Sequence, residues 1–548
     1  MKPRTLLLAI PLLSAFSIGD SATTTVVALG AQADQRPERS LAQAVRHDTS
    51  LALTVLAQTS PQPGPDRQVP IRIPPGLAER QKPFVKRPDA VRQAAEGAAL
   101  TPVPSLSFDG LSDDDNAAVL GFRVVPPDTN GDVGPNHYVQ FINLILAVYD
   151  KSGGLLLGPV AGNSIWSGFG GICEAANHGD PVALYDHLAD RWVLSQFAIG
   201  ADGHQCVAVS ATGDPTGSYH RYDFVVSPGA FNDYPKLSVW PNGYYMSANE
   251  FNGSFQGAIA VAFERSRMLR GQSAQMVKFG PLPCAAECFF SLQPSDLDGP
   301  APARGTPNTF VMSFDDEVWG TGANSDGYRL WDFSVDWRRP EDSSFTPLGQ
   351  VNTTEFDANL CNFGPCVPQP MAGERLATLS PFTMYRAQYR SFADHASMLV
   401  THTVDATGRN EAGTRWAELR HGAGGWSLYQ TGTYALDDGL HRWMGSSAMD
   451  KAGNIAVGYS VSGQFLFPSI RYATRSASDP LGTLGNEVEL HAGTGAQLRS
   501  FNRWGDYSSM SVAPDGCTFW YTQEYYANSA RFDFKTRIGS IQVPGCTP

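Results

Sequence analysis

The sequence predicts an all-β protein folded as a β-propeller, with seven four-stranded blades after a largely disordered N-terminal leader. Three observations support this fold class. A unit of roughly 50 residues recurs along the chain, and repeats of that length with four short strands are typical of propellers. The 54 glycines and 39 prolines suit a protein with many turns. Helical periodicity is almost absent after residue 100.

The recurring unit is clearest in two segments that lie far apart in the chain. FNDYPKLSVWPNGYYMSANE begins at Phe231, and NRWGDYSSMSVAPDGCTFWYTQE begins at Asn502. Aligned on Asp233 and Asp506, both have an aromatic residue at +1, an apolar residue at +4, Val at +6, Pro at +8 and Gly at +10. This spacing predicts two strands joined by a tight turn.

Seven such units account for the body of the chain. They begin near Asp128, Asp180, Asp233, Asp296, Asp394, Trp443 and Asp506. The 98 residues from Asp296 to Asp394 leave room for a further element, so six or eight blades remain open. The segment LSFDGL near Phe108 is expected to complete the outer edge of the last blade, which would remove an exposed edge strand.

The chain divides into three regions. Residues 1–22 combine Lys2 and Arg4 with an apolar run and then small residues, which is typical of a secretory signal peptide. Residues 23–103 are rich in proline and charge, and we expect a flexible leader or a propeptide-like segment there. Residues 104–548 form the predicted propeller domain.

Charge and hydropathy exclude some classes of function. The net charge is −13, and the sequence has no basic stripe, which argues against a nucleic-acid partner. After residue 22 no segment approaches 18 consecutive apolar residues, so no membrane span is expected. We therefore expect a secreted monomer, extracellular or periplasmic, without an organic cofactor.

The eight cysteines fit export. Each has a near neighbour in sequence, giving Cys173 with Cys206, Cys284 with Cys288, Cys361 with Cys366, and Cys517 with Cys546. Eight cysteines allow 105 connectivities, and pairing by proximity is the simplest. A zinc site is the rival interpretation, but the spacings lack paired C-x-x-C motifs. Disulfides in loops are the favoured interpretation.

Several motifs resemble known proteins. PPDTNGDVGPNHYVQ, RWMGS, NDYPKL and RWGDYSSMSV resemble a family of secreted bacterial proteins that is uncharacterised, so the resemblance implies no catalytic residues. The units as a whole resemble the β-propeller superfamily. SVAPDGCTFW resembles the Asp-box turn of sialidases, although here Asp515 and Gly516 are adjacent, which departs from that pattern. The resemblance to an Asp-box implies a structural turn away from the active site.

Propeller topology predicts where a site would form. Loops that enter the first strand of a blade and loops that leave the second strand share one face, around the usual ligand site of the fold. The candidate catalytic carboxylates there are Asp180, Asp233, Asp506, Glu250 and Glu524. The candidate substrate-binding residues are Arg442, Arg503, His395, Trp443 and Trp504.

Two carboxylates across a pocket can cleave a glycosidic bond, as acid and base or as acid and nucleophile. Arginines beside them would hold an anionic sugar, and exposed aromatic rings would stack on sugar faces. The sequence therefore predicts a glycoside hydrolase or lyase acting on an extracellular polysaccharide. The alternative is a non-catalytic propeller, lectin or adhesin-like, that binds glycan, protein or a cell-surface ligand. In that case a repeated Asp caps its own loop and ties one blade to the next.

The motif DTNGDVG indicates a calcium loop. Asp128, Asn130 and Asp132 have the i, i+2, i+4 oxygen spacing of Ca²⁺ ligands. Val133 and Val139 stand where an EF-hand needs Gly and Glu, which excludes an EF-hand and leaves a simpler calcium site. The alternative is an Asx-rich turn.

Overall fold

Antiparallel β-strands dominate the computed structural model, which describes residues 37–57, 64–74, 76–77, 82, 85–498 and 502–547. The predicted signal peptide, residues 1–22, lies outside the described residues. The predicted all-β class is confirmed. None of the helices in the described part of the chain is long and apolar enough to cross a membrane.

The N-terminal part of the chain contributes short elements that are spread along it. These are β1 (Arg39–Gln43), β2 (Arg46–Thr49), α1 (Leu53–Leu56), β3 (Arg67–Gln68), β4 (Arg92–Gln93), β5 (Leu106–Ser112), α2 (Asp113–Leu120) and β6 (Val124–Val125).

The following strands form antiparallel meanders, in which each strand pairs with the next along the chain. The first three meanders are β7 (Asn130–Val133), β8 (His137–Ile142), β9 (Ile145–Asp150) and β10 (Leu155–Ala161); β11 (Gly179–Asp186), β12 (Arg191–Ile199), β13 (Gly203–Ser210) and β14 (Tyr219–Ser227); and β15 (Phe231–Trp240), β16 (Gly243–Asn252), β17 (Ser254–Phe263) and β18 (Gln275–Phe279). Short helices α3 (Ile172–Ala175) and α4 (Arg265–Met268) lie in the connections.

The later meanders repeat this order. They are β19 (Gln293–Asp298), β20 (Asn308–Phe314), β21 (Gly327–Ser334) and β22 (Ser344–Asn352); β23 (Ala387–Ser391), β24 (Ala396–Asp405), β25 (Ala412–Gly422) and β26 (Gly425–Tyr434); β27 (His441–Met449), β28 (Ile455–Gly463), β29 (Leu466–Arg475) and β30 (Val488–His491); and β31 (Ser509–Val512), β32 (Thr518–Tyr526) and β33 (Phe534–Gln542). Helix α5 (Asp316–Trp319) follows β20. A parallel pairing of β19 with β23 joins two meanders into one sheet.

The first strands of the meanders contact one another in cyclic order. β7 contacts β11, β11 contacts β15, β15 contacts β19, and β19 pairs with β23. β23 contacts β27, β27 contacts β31, and β31 returns to β7. These strands are almost wholly buried, and apolar side chains between neighbouring meanders form the core. The result is a propeller-like arrangement.

The segment predicted to be a flexible leader differs from that prediction in its described residues. β1 pairs with β18, β2 with β14, and β4 with β26, so three outer strands each gain a neighbour. Outer strands otherwise leave rows of unpaired N–H and C=O groups, and adding a strand satisfies them. Proline and charge disfavour a core of the segment's own, but they do not prevent it from docking on edges that the meanders provide.

Strand β5 completes the last meander. It pairs with β33, with Phe108 opposite Ile538, as predicted for LSFDGL. A strand from the N-terminal side of the chain thus joins the C-terminal sheet. The closing contact removes the free edge of β33.

The four predicted disulfides are confirmed. They join Cys173 to Cys206, Cys284 to Cys288, Cys361 to Cys366, and Cys517 to Cys546. All eight cysteines are paired, so no thiolate is left for the rival zinc interpretation. Four disulfides are typical of a protein that folds in an oxidising compartment.

One predicted unit boundary is wrong. Asp394 was predicted to precede the first strand of its unit, but it lies in the turn between β23 and β24. DHASMLVTHTVD is therefore the second strand of its meander, and Ala387–Ser391 is the first. The first strand, AQYRS, is buried although most of its residues are polar, so it lacks the apolar pattern that the second strand shows.

Candidate functional site

A pocket lies where β11 and β15 begin and where the chain approaches β31. It is small, with a cavity volume of about 10 Å³, which is room for about one water molecule. The lining residues are Val69, Pro70, Ile71, Arg72, Asp180, Asp233, Tyr234, Leu379, Phe382, Arg503 and Asp506. Three of the five predicted carboxylates, Asp180, Asp233 and Asp506, therefore meet in one place, which we call the aspartate pocket. Each comes from a different meander.

Asp180 links three meanders at the floor of this pocket. Its backbone N–H donates to Asn143 Oδ1 at 3.0 Å, and its Oδ2 accepts from the backbone N–H of Tyr234 at 3.1 Å. The residue has φ 45°, in the left-handed region that Asp tolerates better than most residues. Burial raises the pKa of the Asp180 carboxyl, Lys236 lowers it, and Asp506 raises it further. The carboxylate is both a structural tie and a group poised to hold a proton.

Asp233 carries the most clearly perturbed carboxyl in the pocket. Its Oδ1 lies 3.3 Å from Arg72 Nη1, and its side chain is 13% exposed. Burial raises its pKa to about 8, with Asp180 raising it further and Arg72 opposing the shift. At neutral pH the pair Asp180 and Asp233 therefore holds a proton, because two carboxylates this close resist ionising together.

Asp506 forms the third wall of the pocket and is paired with Arg503. The Arg503 Nη1 and Nη2 atoms donate to the two carboxylate oxygens of Asp506. The Arg503 Nε donates to the backbone oxygen of Val69 at 2.7 Å. Each nitrogen of the Arg503 guanidinium thus has a partner within the protein, and three of its five N–H groups are used in this way.

Lys236 lies beneath the pocket and was missed by sequence reasoning. It is fully buried, with Nζ 3.4 Å from the ring centroid of Tyr234 and 3.8 Å from that of Tyr507. Burial lowers its pKa to about 8, although Asp180, Asp128 and Asp506 oppose the shift. A lysine at a buried position of an apolar strand was the signal that could have revealed it, because such residues are rarely buried without an acidic partner.

The two predicted glutamates do not line the aspartate pocket. Glu250 is buried on β16, where its Oε1 lies 2.7 Å from Lys278 Nζ. The same Nζ donates to the backbone oxygen of Val226 on β14 at 2.9 Å, so the ion pair of the third meander also binds the second. A catalytic role for Glu250 does not fit this position, because its charge is already neutralised by a buried partner.

Glu524 is fully buried on β32, and neither carboxylate oxygen has a hydrogen-bond partner among the described residues. Burial raises its pKa well above the usual range, while the nearby backbone N–H of Gly505 lowers it and Asp506 raises it further. The side chain therefore lies near the pocket without reaching it. A neutral carboxylic acid is the state that such surroundings favour.

Arg442 and His395 lie elsewhere, which corrects their predicted role as substrate contacts. Arg442 Nε lies 2.8 Å from Glu487 Oε1, and its Nη2 lies 2.7 Å from Asp438 Oδ2. His395 follows Asp394 in the turn after β23 and stacks on Phe392. Neither lines the aspartate pocket.

The predicted aromatic platform is also corrected. Trp443 and Trp504 are both fully buried, with ring centroids 5.9 Å apart. Trp504 Nε1 donates to Ser460 Oγ at 2.9 Å. Rings buried in the core cannot stack on a sugar, and the apolar size of tryptophan explains why they are inside.

Two of the three predicted calcium ligands accept backbone N–H groups of β11. Asn130 Oδ1 accepts from the backbone N–H of Ala183 at 2.7 Å, and Asp132 Oδ2 accepts from that of Tyr185 at 2.7 Å. Both therefore tie β7 to β11. Asp128 is buried near Asp506 and Asp180, and burial raises its pKa well above the usual range. The spacing that resembles a calcium loop instead serves contacts between meanders, so calcium there stays a hypothesis without support from these side chains.

Another acidic group lies near α5. One carboxylate oxygen from each of Asp315, Glu317 and Asp326 falls within 4.8 Å of the others. Both oxygens of Asp315 accept backbone N–H groups, from Val318 and Ala358. Those of Asp326 do the same in the adjoining loop. Hydrogen bonds to the backbone explain this cluster as a loop anchor.

Comparisons with known proteins place the chain in no family. No family model matches it, and no curated protein matches it significantly. Among solved structures it is similar to an ulvan lyase bound to -[GlcA(1-4)Rha3S]-, with 12% identity over 75% of this chain and 91% of that chain and a TM-score of 0.37. It is similar to Synechocystis apocarotenoid oxygenase, with 10% identity, coverage of 66% and 73%, and a TM-score of 0.32.

A third similar structure is Trypanosoma rangeli sialidase, at 8% identity over 66% of this chain, with a TM-score of 0.32. The chain covers 54% of that protein, about half its length. Likeness at this level assigns no activity to the chain. Any activity of this chain has to be inferred from the residues of its own pocket.

Proposed function

We propose that this chain is a secreted, closed seven-bladed β-propeller that acts on a polysaccharide through carboxylates of the aspartate pocket. One observation carries the proposal: three carboxylates from three meanders line a single pocket. The cyclic contacts of the first strands support a closed ring of seven blades. The four disulfides and the predicted signal peptide support function outside the cytosol.

The proposed chemistry divides a proton between two aspartates. Asp233, with its pKa raised to about 8, donates a proton to the glycosidic oxygen as general acid. The negative charge of Asp180 disfavours ionisation of Asp233. Asp180 in its ionised form acts as base or nucleophile. Carboxyl groups whose surroundings separate their protonation states are the usual arrangement for such cleavage. Activity should therefore fall as the pH rises above about 8, when Asp233 loses its proton.

The charge of the pocket indicates the class of substrate. Arg503 is bound to Asp506 and Val69, Arg72 contacts Asp233, and Arg442 lies elsewhere, so each of these guanidinium groups already has a carboxylate partner. The pocket instead presents carboxylates. We therefore propose a neutral or amino-sugar polysaccharide and not a polyuronate, because an anionic sugar would face like charges.

The proposal is tested with purified full-length protein on chitosan, a neutral xylan or glucan, and polygalacturonate, each with and without EDTA. Cleavage of the first two classes is expected, with no effect of EDTA. Asp233→Asn and Asp180→Asn should each lower turnover by on the order of a hundredfold or more, the usual effect of losing acid–base assistance. Asp394→Asn is the control, since Asp394 is exposed in the turn after β23 and does not line the pocket. Equal turnover in all four proteins would refute the site.

A non-catalytic, lectin-like or adhesin-like propeller is the second candidate. The acids of the pocket already have partners, since Asp506 binds Arg503, Asp233 contacts Arg72, and Asp180 accepts an N–H group. Fully partnered acids are typical of a structural or binding site. Binding to a polysaccharide of the panel without cleavage, unchanged in Asp233→Asn, would favour this candidate.

A further inference from the structure

An extended segment of the N-terminal region, residues 66–73, lies across the aspartate pocket. Four of its residues, Val69, Pro70, Ile71 and Arg72, form part of the pocket lining. The other lining residues come from the meanders and from the loop that holds Leu379 and Phe382. We call residues 66–73 the strap.

The strap begins with a short anchor. β3 pairs in parallel with β6, and the backbone N–H of Val69 donates to the backbone oxygen of Val125 at 2.8 Å. Asp66 Oδ1 accepts from the backbone N–H of Arg123 at 2.8 Å. The Arg67 guanidinium lies 3.9 Å from the ring centroid of Phe122. This anchor spans only a few residues.

Over the pocket, the strap takes positions that a ligand would otherwise occupy. The backbone oxygen of Val69 accepts the Nε–H of Arg503, and the Arg72 guanidinium lies 3.3 Å from Asp233 and 4.8 Å from the Phe231 ring centroid. Val69, Ile71 and Ile73 pack against the core while remaining partly exposed. The strap thus places the backbone carbonyl of Val69 against Arg503 and the guanidinium of Arg72 against Asp233.

We propose that the strap is a tethered occupant that closes the aspartate pocket, and that substrate binds only when the strap leaves. This inference rests on the proposed function, because it assigns regulation to the same site. The strap blocks Asp233, which the proposed cleavage needs as its acid. Its hold is modest, because the Arg72 side chain is 34% exposed and partly exposed ion pairs contribute little. A ligand that binds the pocket, or proteolytic cleavage of the N-terminal region, can therefore displace the strap.

The test is Arg72→Ala in the full chain, with two measurements that need no substrate. Hydrogen exchange of residues 66–73 should rise about two- to fivefold, the change expected from loss of a partly exposed ion pair with Asp233. Carbodiimide labelling with glycine ethyl ester should rise several-fold at Asp180 as well as Asp233. Asp180 does not contact Arg72, so its labelling reports departure of the strap and not merely loss of one guanidinium. Arg39→Ala is the matched control, because Arg39 bonds to Ser343 and not to the pocket.

Ile71→Asp is the second variant, placing a carboxylate among the aspartates, and it should produce the same opening. A synthetic peptide of residues 66–73 should then bind in trans to either variant and restore protection. If both variants keep the exchange and labelling of the parent, the strap proposal is overturned, whatever the protein does to polysaccharides. If exchange and labelling rise, the strap proposal is supported even when no sugar binds, and only the proposed function then fails. With a substrate in hand, its apparent affinity should rise by the same factor as the exchange, because the fraction of open protein grows by that factor.

Discussion

At the scale of single residues, buried charge at the aspartate pocket is balanced across meanders and not within them. Lys236 faces Asp128, Asp180 and Asp506, which come from other parts of the chain. Arg503 takes Asp506 as its bidentate partner. Removing one member of such a group leaves its partners buried and uncompensated, which costs more than the pair itself contributes.

Lys236→Met tests this balance. We expect the free energy of unfolding to fall by about 3–5 kcal/mol, because the surrounding carboxylates lose their buried cation. Urea denaturation at pH 7 measures the change. Lys451→Met is the control, since Lys451 is exposed and donates only to the backbone oxygen of Asp515, and it should change stability by no more than about 0.5 kcal/mol. Equal stability of the two variants would contradict the proposed balance.

Glu524→Gln should stabilise the protein at neutral pH. The pKa of Glu524 is raised by burial, so the folded state holds a proton that the unfolded state releases above about pH 4.3. The contribution of Glu524 to the free energy of unfolding is therefore largest at low pH. It falls by about 1.4 kcal/mol per pH unit as the pH rises from the unfolded pKa towards the folded pKa. The amide cannot ionise and removes this dependence. Thermal unfolding of both proteins between pH 4 and 8 measures it.

Glu250→Gln is the matched comparison for that experiment. Glu250 is also buried but is paired with Lys278, so its replacement leaves a buried ammonium group without a partner. We expect this variant to be less stable than the parent. The change in the free energy of unfolding should therefore have opposite signs in Glu250→Gln and Glu524→Gln, because only Glu250 has a buried cation as partner. Changes of the same sign would show that these contacts do not govern stability.

At the scale of elements, the last meander is closed by two contacts that span the sequence. β5 pairs with β33, and the disulfide between Cys517 and Cys546 links the turn before β32 to the segment after β33. The turn itself is held by Asp515, whose Oδ1 accepts the backbone N–H groups of Cys517 and Thr518. The final strands are thus held at both edges.

Replacing both Cys517 and Cys546 with alanine should lower the free energy of unfolding by roughly 2–4 kcal/mol, because the disulfide closes a long loop. The sequence separation is 29, against 4 for Cys284 and Cys288. The double alanine variant of that shorter pair is the control and should cost less, at most about 2 kcal/mol on the same loop-entropy argument. Calorimetry under non-reducing conditions compares them, and a larger loss for the short loop would contradict the argument.

At the scale of the whole molecule, the N-terminal region and the meanders form one structure. β1, β2 and β4 cover the outer edges of β18, β14 and β26, and the strap covers the aspartate pocket. Asp48 receives both Nε–H and Nη2–H of Arg221, which further holds β2 in place. The region therefore protects sheet edges that would otherwise pair with another chain.

A protein that starts at residue 104 should self-associate. Three outer strands would expose unpaired backbone groups, and such edges are templates for intermolecular pairing. Light scattering after size-exclusion chromatography should show dimers or larger species, whereas a protein that starts at residue 37 should remain monomeric as the control. A monodisperse monomer from residue 104 would show that these added strands are dispensable.

Several features could be predicted from the sequence because their causes are local. Tight turns such as Pro241–Gly243 and the alternation around them define the meanders, and the short spacing of the cysteines favours their pairing. The aspartates that begin β11 and β15 could be expected to meet, since a repeated unit returns the chain to the same face. The first strand near Asp394 could not be located, because AQYRS is buried by its neighbours although its residues are mostly polar.

The tertiary structure alone decided which of the candidate residues share a pocket and what state each is in. Glu250 and Glu524 lie on corresponding strands, yet one pairs with Lys278 and the other forms no hydrogen bond of normal geometry among the described residues. Tyr234 donates to the backbone oxygen of Asp506, 272 residues away, and Asp233 meets Arg72 from the N-terminal region. A side chain's partner, burial and charge depend on surfaces that come together only when distant segments pack, and the local pattern of a single strand carries no information about them.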